Sequence, residues 1–337
     1  MNRRPRVIAL VLTALLVLAF FGALLVGSAG LTLPEVMRTL TGHGDPALNQ
    51  VVLDWRLPRA LFALLGGMAL ALSGAIFQFI TRNPLGSPDI IGFSAGAYTG
   101  ALLVSALGVS ALWGRPVGAL LGGLLAGAAV YFLAWEQGLS GFRIIIVGIA
   151  VSVFLSALNT YLLLTLQREQ ALIVAGWGLG SLANISWRHV VVLGIALLIT
   201  LPLLFYLRAD LRLLDLGDDT AAGLGVRVSH LRAVLLGLGI ILVAAVTAAA
   251  GPIAFVALAA PQLAKRLASA PAIPLYMTAV VGALLLVTSD IAARLLIPGG
   301  QLPAGVITLS VGGLYLLWLL AQAGLPTGAA RTERSLT

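Results

Sequence analysis

A chain of 337 residues that is 60% hydrophobic and only 9% charged has too little charge to coat a soluble surface. Its mean hydropathy of +1.07 points to membrane spans, so the usual relation between length and domain number does not apply. The net charge of +8 comes from basic residues scattered at segment ends, which speaks for membrane topology and against nucleic acid, and the lack of cysteine excludes disulfide, zinc–thiolate and iron–sulfur sites.

In chain order, Arg3 and Arg4 precede a first apolar span near 7–27. It is longer than the core of an ordinary signal peptide, so it is expected to stay as an uncleaved helix. The polar stretch Ser28–Trp55 follows, with a short surface helix expected at Leu33–Arg38. Further spans lie near 57–80, 90–109, 113–135, 142–166 and 187–207. After a polar connector come spans near 230–250, 252–268, 275–296 and 304–322. The span at 252–268 is short and opens on Gly251-Pro252, so an irregular start is expected there. The fold class is therefore all-α and polytopic, with about ten transmembrane helices of roughly 20 residues.

An even number of spans puts both termini on one side. If that side is inside, 13 Lys and Arg fall in inner segments and 7 in outer ones. Both termini are then expected in the cytoplasm, with the protein in the cytoplasmic membrane. No linker rich in Ser, Pro or charge interrupts 1–337, so a single domain is expected. Glycines recur at small-xxx-small spacing, as in Gly92-Gly96-Gly100 and Gly118-Gly122, and such faces let helix backbones approach closely.

Several chemistries are missing. There is no G-x-x-x-x-G-K-[ST], and the single lysine, Lys265, has no glycine loop before it, so the chain cannot hydrolyse ATP alone. His43, His189 and His230 are far apart and fall in loops or at span ends. With no cysteine and no paired carboxylates, neither a metal site nor a resident cofactor is expected. No G-x-S-x-G supports a nucleophile, which disfavours a membrane enzyme. Ion-coupled secondary transport needs ionisable groups inside the membrane, and the spans hold almost none. Asp290 and Arg294 lie four apart near an outer span end, where a local ion pair is plausible, and Arg168 and Glu169 fall in an outer loop.

Four segments are more specific than hydrophobicity requires. The first runs from Arg56 to Gly100: Arg56 and Arg59 one helical turn apart, a glycine-rich span, then the turn Arg82-Asn83-Pro84-Leu85-Gly86-Ser87-Pro88-Asp89 and Gly92. The second is the connector with Leu216-Gly217-Asp218-Asp219-Thr220-Ala221 and Leu224-Gly225. Alone, it reads as a short helix opened by Gly217, with acids at its positive end, or simply as a solvated connector. The third is Gly251-Pro252 through Pro261-Gln262-Leu263-Ala264-Lys265-Arg266. The fourth is Asp290 and Arg294, then Pro303, Gly305 and the pair Gly312-Gly313.

In this order and at these positions, the four segments resemble the membrane subunits of ABC importers for iron chelates and vitamin B12. In finer detail they are most similar to permeases for catecholate siderophores such as ferric enterobactin, with Asn159-Thr160 and Gly180-Ser181-Leu182 among the supporting residues. The resemblance implies a type II importer permease that is not itself an enzyme and moves an iron(III)–siderophore complex. Haem or vitamin B12 are the alternative cargoes, and an ion-coupled carrier is the more distant rival. It also implies partners: a second permease chain, related or identical, two ATPase subunits, and an extracytoplasmic binding protein. Carried over by position, Arg56, Arg59 and Arg294 would dock the binding protein. Leu216, Gly217, Asp218, Asp219, Ala221, Leu224 and Gly225 would couple to the ATPase. Asn83, Pro84, Leu85, Pro88, Gly92, Gly251, Pro252, Pro261, Pro303 and Gly305 would be structural. Gln262 stands where the family usually has histidine, so no role there can need an imidazole.

Overall fold

A computed structural model of the chain describes residues 3–27, 30–89, 91–108, 114–136, 140–214, 216–297 and 301–324. Among them the regular elements are all helical. They are α1 (Arg3–Leu25), α2 (Leu33–Leu40), α3 (Pro46–Asn49), a π-helical segment (Gln50–Arg56), α4 (Leu57–Thr81), α5 (Phe93–Ala106), α6 (Gly114–Ala134) and α7 (Gly141–Thr165). There follow α8 (Arg168–Trp177), α9 (Trp187–Tyr206), α10 (Arg208–Leu214), α11 (Asp218–Gly223), α12 (Val228–Ala250), α13 (Val256–Ala268), α14 (Leu275–Leu295) and α15 (Ala304–Gly324). Among the described residues, seven helices are long and apolar enough to cross a membrane, and Phe93–Ala106 and Ala304–Tyr315 are shorter apolar helical stretches. With 13 residues, α13 rises only about 20 Å, and the backbone before it is irregular as Gly251-Pro252 implies.

Helix α4 is the axis of the molecule. It is buried along almost its whole length, and α1, α9, α12, α13 and α14 pack around it. Small residues make this possible. A Cβ at Gly67 would overlap the Gly282 carbonyl of α14, and one at Gly74 would overlap the Ala257 carbonyl of α13. That Ala257 carbonyl lies four residues before Pro261, whose missing N–H leaves it without its helical donor, and α13 turns it against Gly74. The glycine ridges foreseen from the sequence meet each other inside the chain: Gly96 and Gly100 of α5 lie against Gly122 and Gly118 of α6. Large apolar side chains such as Phe154, Leu164 and Leu198 point outward, as lipid-facing helices require.

Two elements differ from the sequence expectation. The polar stretch before Arg56 is helical from Pro46 onward, because Asp45-Pro46 starts a helix that runs through the π segment into α4. Arg168 and Glu169 are not in a plain loop; they open α8, which ends at Trp177 against the bundle core. The expected short helix at Leu33–Arg38 is α2, whose Glu35 carboxylate accepts hydrogen bonds from the Thr32 N–H and hydroxyl.

Candidate functional site

The three arginines singled out at the outer span ends converge on one place. Arg59 and Arg294 both pair with Asp290, at 2.8 Å each. Arg59 reaches both Asp290 oxygens and also donates to Gln301 Oε1 at 3.0 Å. Asp290 is fully buried, and Arg56 and Arg59 are only 7% and 8% exposed. Arg56 bonds backbone, and nearby Asp54 is solvent-exposed. Arg56 donates to the Leu24 and Leu25 carbonyls at 2.9 Å each. Arg294 donates to Ala23 O at 3.0 Å and Val26 O at 2.9 Å. Four consecutive carbonyls at the end of α1 are thus capped by guanidinium groups. Those carbonyls have no intrahelical partner, and α1 has no basic residue of its own in its last turn. The cluster fastens α1, α4 and α14 together, with three cations around one carboxylate.

At the other end of α4, about 37 Å away by helical rise, lies the second site. Arg82 sits in the left-handed region and ends α4. Asn83 then accepts from the Leu85 N–H at 2.9 Å, and Gly86 N donates to Asn83 O at 2.9 Å, so Asn83-Pro84-Leu85 is a compact turn. Pro88 and Gly92 set the start of α5. Gly92 is left-handed with φ +85°, and its N–H donates to Asp89 O. The Asp89 carboxylate accepts from Ser94 Oγ at 2.5 Å. Burial raises the Asp89 carboxyl above its usual range, and the Ser94 bond opposes this in part.

Against this turn sits α11. Gly217, with φ +110°, opens it and Gly225, with φ +90°, follows its end, as their positions implied. Ala221 faces inward and is fully buried. Leu216 and Leu224, flanking the helix, are 62% and 60% exposed. The two acids differ. Asp219 is exposed. Asp218 accepts both nitrogens of Arg232 at 2.9 Å and pairs with Arg82 at 3.3 Å. Arg232 is 2% exposed, and the fold brings it to Asp218.

One helical turn before Arg82, Gln78 donates to Leu258 O at 3.1 Å and accepts from Gln262 Nε2 at 2.6 Å. Gln262 therefore does the joining of α13 to α4 with a neutral amide. Beside this pair opens a cavity of about 650 Å³ lined by Arg82, Asn83, Lys265 and Arg266 as well as the two glutamines.

A third locus is where helix breaks meet. Ser181 N donates to Ala250 O at 2.7 Å, and Gly305 N to Gly180 O at 2.9 Å. Gly251 presents its bare Cα to the Trp177 carbonyl, and Gly305 to that of Leu179. Phe255 is left-handed, with φ +72°, and packs on Gly312 beside a cavity of about 110 Å³ that Ser289 and Thr308 also line. Pro252 and Pro303 fall in these non-helical stretches, where no helical N–H is needed. Unwound backbone of this kind is tolerated in a bundle where protein or a cavity surrounds it. Asn159 was recognised only as part of a resemblance. It is a buried bond between helices, accepting from Thr99 Oγ1 at 2.7 Å and donating to Ala95 O at 3.0 Å.

The FecCD transport family matches residues 15–322. The chain belongs to that family. It is 41% identical over 321 residues to the ferric enterobactin transport system permease protein FepG of Escherichia coli (strain K12), covering 95% of this chain and 97% of that one. It is 40% identical over 318 residues to the achromobactin transport system permease protein CbrC of Dickeya dadantii (strain 3937), covering 92% and 90%. A solved structure described as a metal-chelate type ABC transporter in an inward-facing conformation superposes with TM-score 0.84 at 32% identity, covering 94% of this chain and 99% of that one. This FecCD chain is thus a membrane permease of the type II importer fold and not itself an enzyme.

Proposed function

We propose that this FecCD chain is one permease subunit of an ATP-driven importer that carries an iron(III)–siderophore complex across the cytoplasmic membrane. The observation that carries the ATP-driven part is α11: a six-residue helix, pinned to the ends of α4 and α12, that offers Leu216, Asp219 and Leu224 to a partner. Two exposed leucines in a polar connector fit a docked ATPase better than open water. The cargo assignment rests on the likeness to ferric enterobactin and achromobactin permeases, and the cavity beside Gln262 supports it. Ferric catecholates are anions, and Arg82, Lys265 and Arg266 suit an anion at the mouth of a path.

In this reading the α11 end and both termini are cytoplasmic, one copy of the chain forms half of the path, and a second permease forms the other half. The outward face of α7, with Phe154, Tyr161 and Leu164 exposed, supplies surface for that partner or for lipid. An extracytoplasmic binding protein docks over the Arg56, Arg59 and Arg294 cluster. Its three cations against one carboxylate attract an acidic surface, although their hydrogen bonds are spent inside the chain. Transport then proceeds by alternating access of a bistable bundle.

Uptake of labelled chelates in a strain lacking this gene tests the cargo. Loss of ferric catecholate uptake, restored by the gene and with haem and cobalamin uptake intact, is the expected result. Loss of haem or cobalamin uptake alone overturns it. Liposomes test the assembly. We expect the second permease to be a related chain, and transport by this chain, one ATPase and one binding protein without a second permease gene would make it another copy of this chain.

A further inference from the structure

We propose that Asp218 is a positioning residue that holds the coupling helix to the bundle, while Asp219 is the acid that meets the ATPase. The inference rests on the coupling role proposed for this segment and divides that role between two neighbouring acids. In the sequence the two aspartates are equivalent. In the fold both oxygens of Asp218 are taken, each by one nitrogen of Arg232 at 2.9 Å, a planar two-bond fork. Arg82 adds a third contact at 3.3 Å. The Asp218 side chain is still 35% exposed, but both its oxygens are committed to arginines, whereas Asp219 on the same helix is exposed.

Helix α11 has six residues and cannot hold its own shape or place by helical hydrogen bonding alone. Its attachments are few: the buried Ala221 methyl, the Val226 N–H bond to Ala221 O at 3.0 Å, and the Asp218 fork. Among the described residues, Asp218 makes the side-chain bonds that tie α11 to spanning helices, through Arg232 to α12 and through Arg82 to α4. Arg232 lies in the first turns of α12, and Arg82 is the residue that ends α4. From Arg82 the next turn of α4 holds Gln78, which is bonded to α13 through Leu258 O and Gln262. A push on α11 is therefore delivered to the ends of α4 and α12 together, and by α4 to α13. Without the fork, α11 would shift on its tether and the helices would stay behind.

The test uses the assembled importer in lipid nanodiscs, with this chain, its partner permease, ATPase and binding protein. The chain has no cysteine, so Ala222→Cys gives a single site for a nitroxide on the exposed face of α11. Asp218→Asn should free the label and lower hydrolysis stimulated by loaded binding protein about tenfold, with ATPase affinity changed less than about twofold. Arg232→Gln should do the same, and the double variant should be no worse than either single one, as for two ends of one bond. Asp219→Lys should leave the label rigid and weaken ATPase binding about tenfold or more. Asp218→Glu, which keeps the charge, reads the same label if Asp218→Asn fails to fold, and should keep it more restrained than Arg232→Gln does. A label equally rigid in Asp218→Asn, or ATPase affinity lost as fully as in Asp219→Lys, overturns the division of roles while the coupling reading stands. If Asp219→Lys, Leu216→Ser and Leu224→Ser all keep full ATPase affinity, the coupling reading falls and this inference with it.

Discussion

Asp290 satisfies two guanidinium groups with one fully buried carboxylate. Removing it leaves Arg59 and Arg294 buried with no opposite charge, and breaking a buried pair from one side costs about 3–5 kcal/mol. Asp290→Ala should therefore lower the unfolding midpoint of the detergent-purified chain sharply, more than Arg56→Gln, which gives up two carbonyl bonds but leaves no carboxylate unpaired. Equal midpoints for Asp290→Ala and the parent would remove the clamp from the account. Asp89 gives a pH dependence. Its carboxyl is raised, so the folded turn favours the protonated form. The stabilising contribution is complete below the ordinary carboxylate range and is lost as pH rises through the raised value. Asp89→Asn keeps an acceptor for Ser94 without the charge. It should match or exceed the parent in thermal stability near pH 8, with the gap closing on acidification. A variant less stable than the parent at pH 8 would reverse the sign and imply that a cation holds the carboxylate. The Asp290–Arg294 pair was legible from its four-residue spacing, but the arrival of Arg59 from another helix and the burial of Asp89 were not.

At the scale of elements, the α5–α6 pair shows what the glycine spacing is for. Gly100 lies against the Gly118 carbonyl and Gly96 against that of Gly122, so any side chain must push backbone against backbone. Gly100→Val should cost about 1–3 kcal/mol by overpacking, or more if the helices separate. Gly176→Ala, with nothing within 4 Å of a new Cβ, is the control and should cost little. Circular dichroism melts in detergent would compare them, and equal melts would mean that the two helices are held elsewhere. The small-xxx-small pattern was legible in sequence, but whether it faced its own chain, a partner or cargo was not, because spacing fixes a face and not what meets it. The same holds for α8. Its first turn is polar enough to pass for a loop, and the buried Val174 and the core contacts of Trp177 carry it back into the bundle.

At the scale of the whole molecule, the orientation proposed here, with α11 on the cytoplasmic side, rests on the 13 to 7 split of basic residues between the two sides. In intact cells a membrane-impermeant maleimide should label Thr41→Cys, after α2, and should label Ala209→Cys, in α10, only once the membrane is opened. The opposite pattern would invert the chain and move α11 away from any cytoplasmic ATPase. Helix α4 makes the inversion consequential: the arginine clamp and the α11 contact lie at its two ends, so both sites change sides together.

Much of this protein was determined by the sequence itself. Apolar runs of bilayer length and their punctuation by glycine and proline mark the spanning helices and where they break, because each is a local transfer or backbone energy. The left-handed ends at Arg82, Gly92 and Gly217 belong to the same class, set by a few adjacent residues. Tertiary structure alone decided the pairings. It brought Asp290 to Arg59 across 231 positions, Gln78 to Gln262 across 184 and Asp218 to Arg232 across 14, and so separated two adjacent aspartates into an arginine-bound acid and an exposed one. A charge buried in a bundle is stable only beside its complement, and which complement is near depends on helix packing, a property of no single segment.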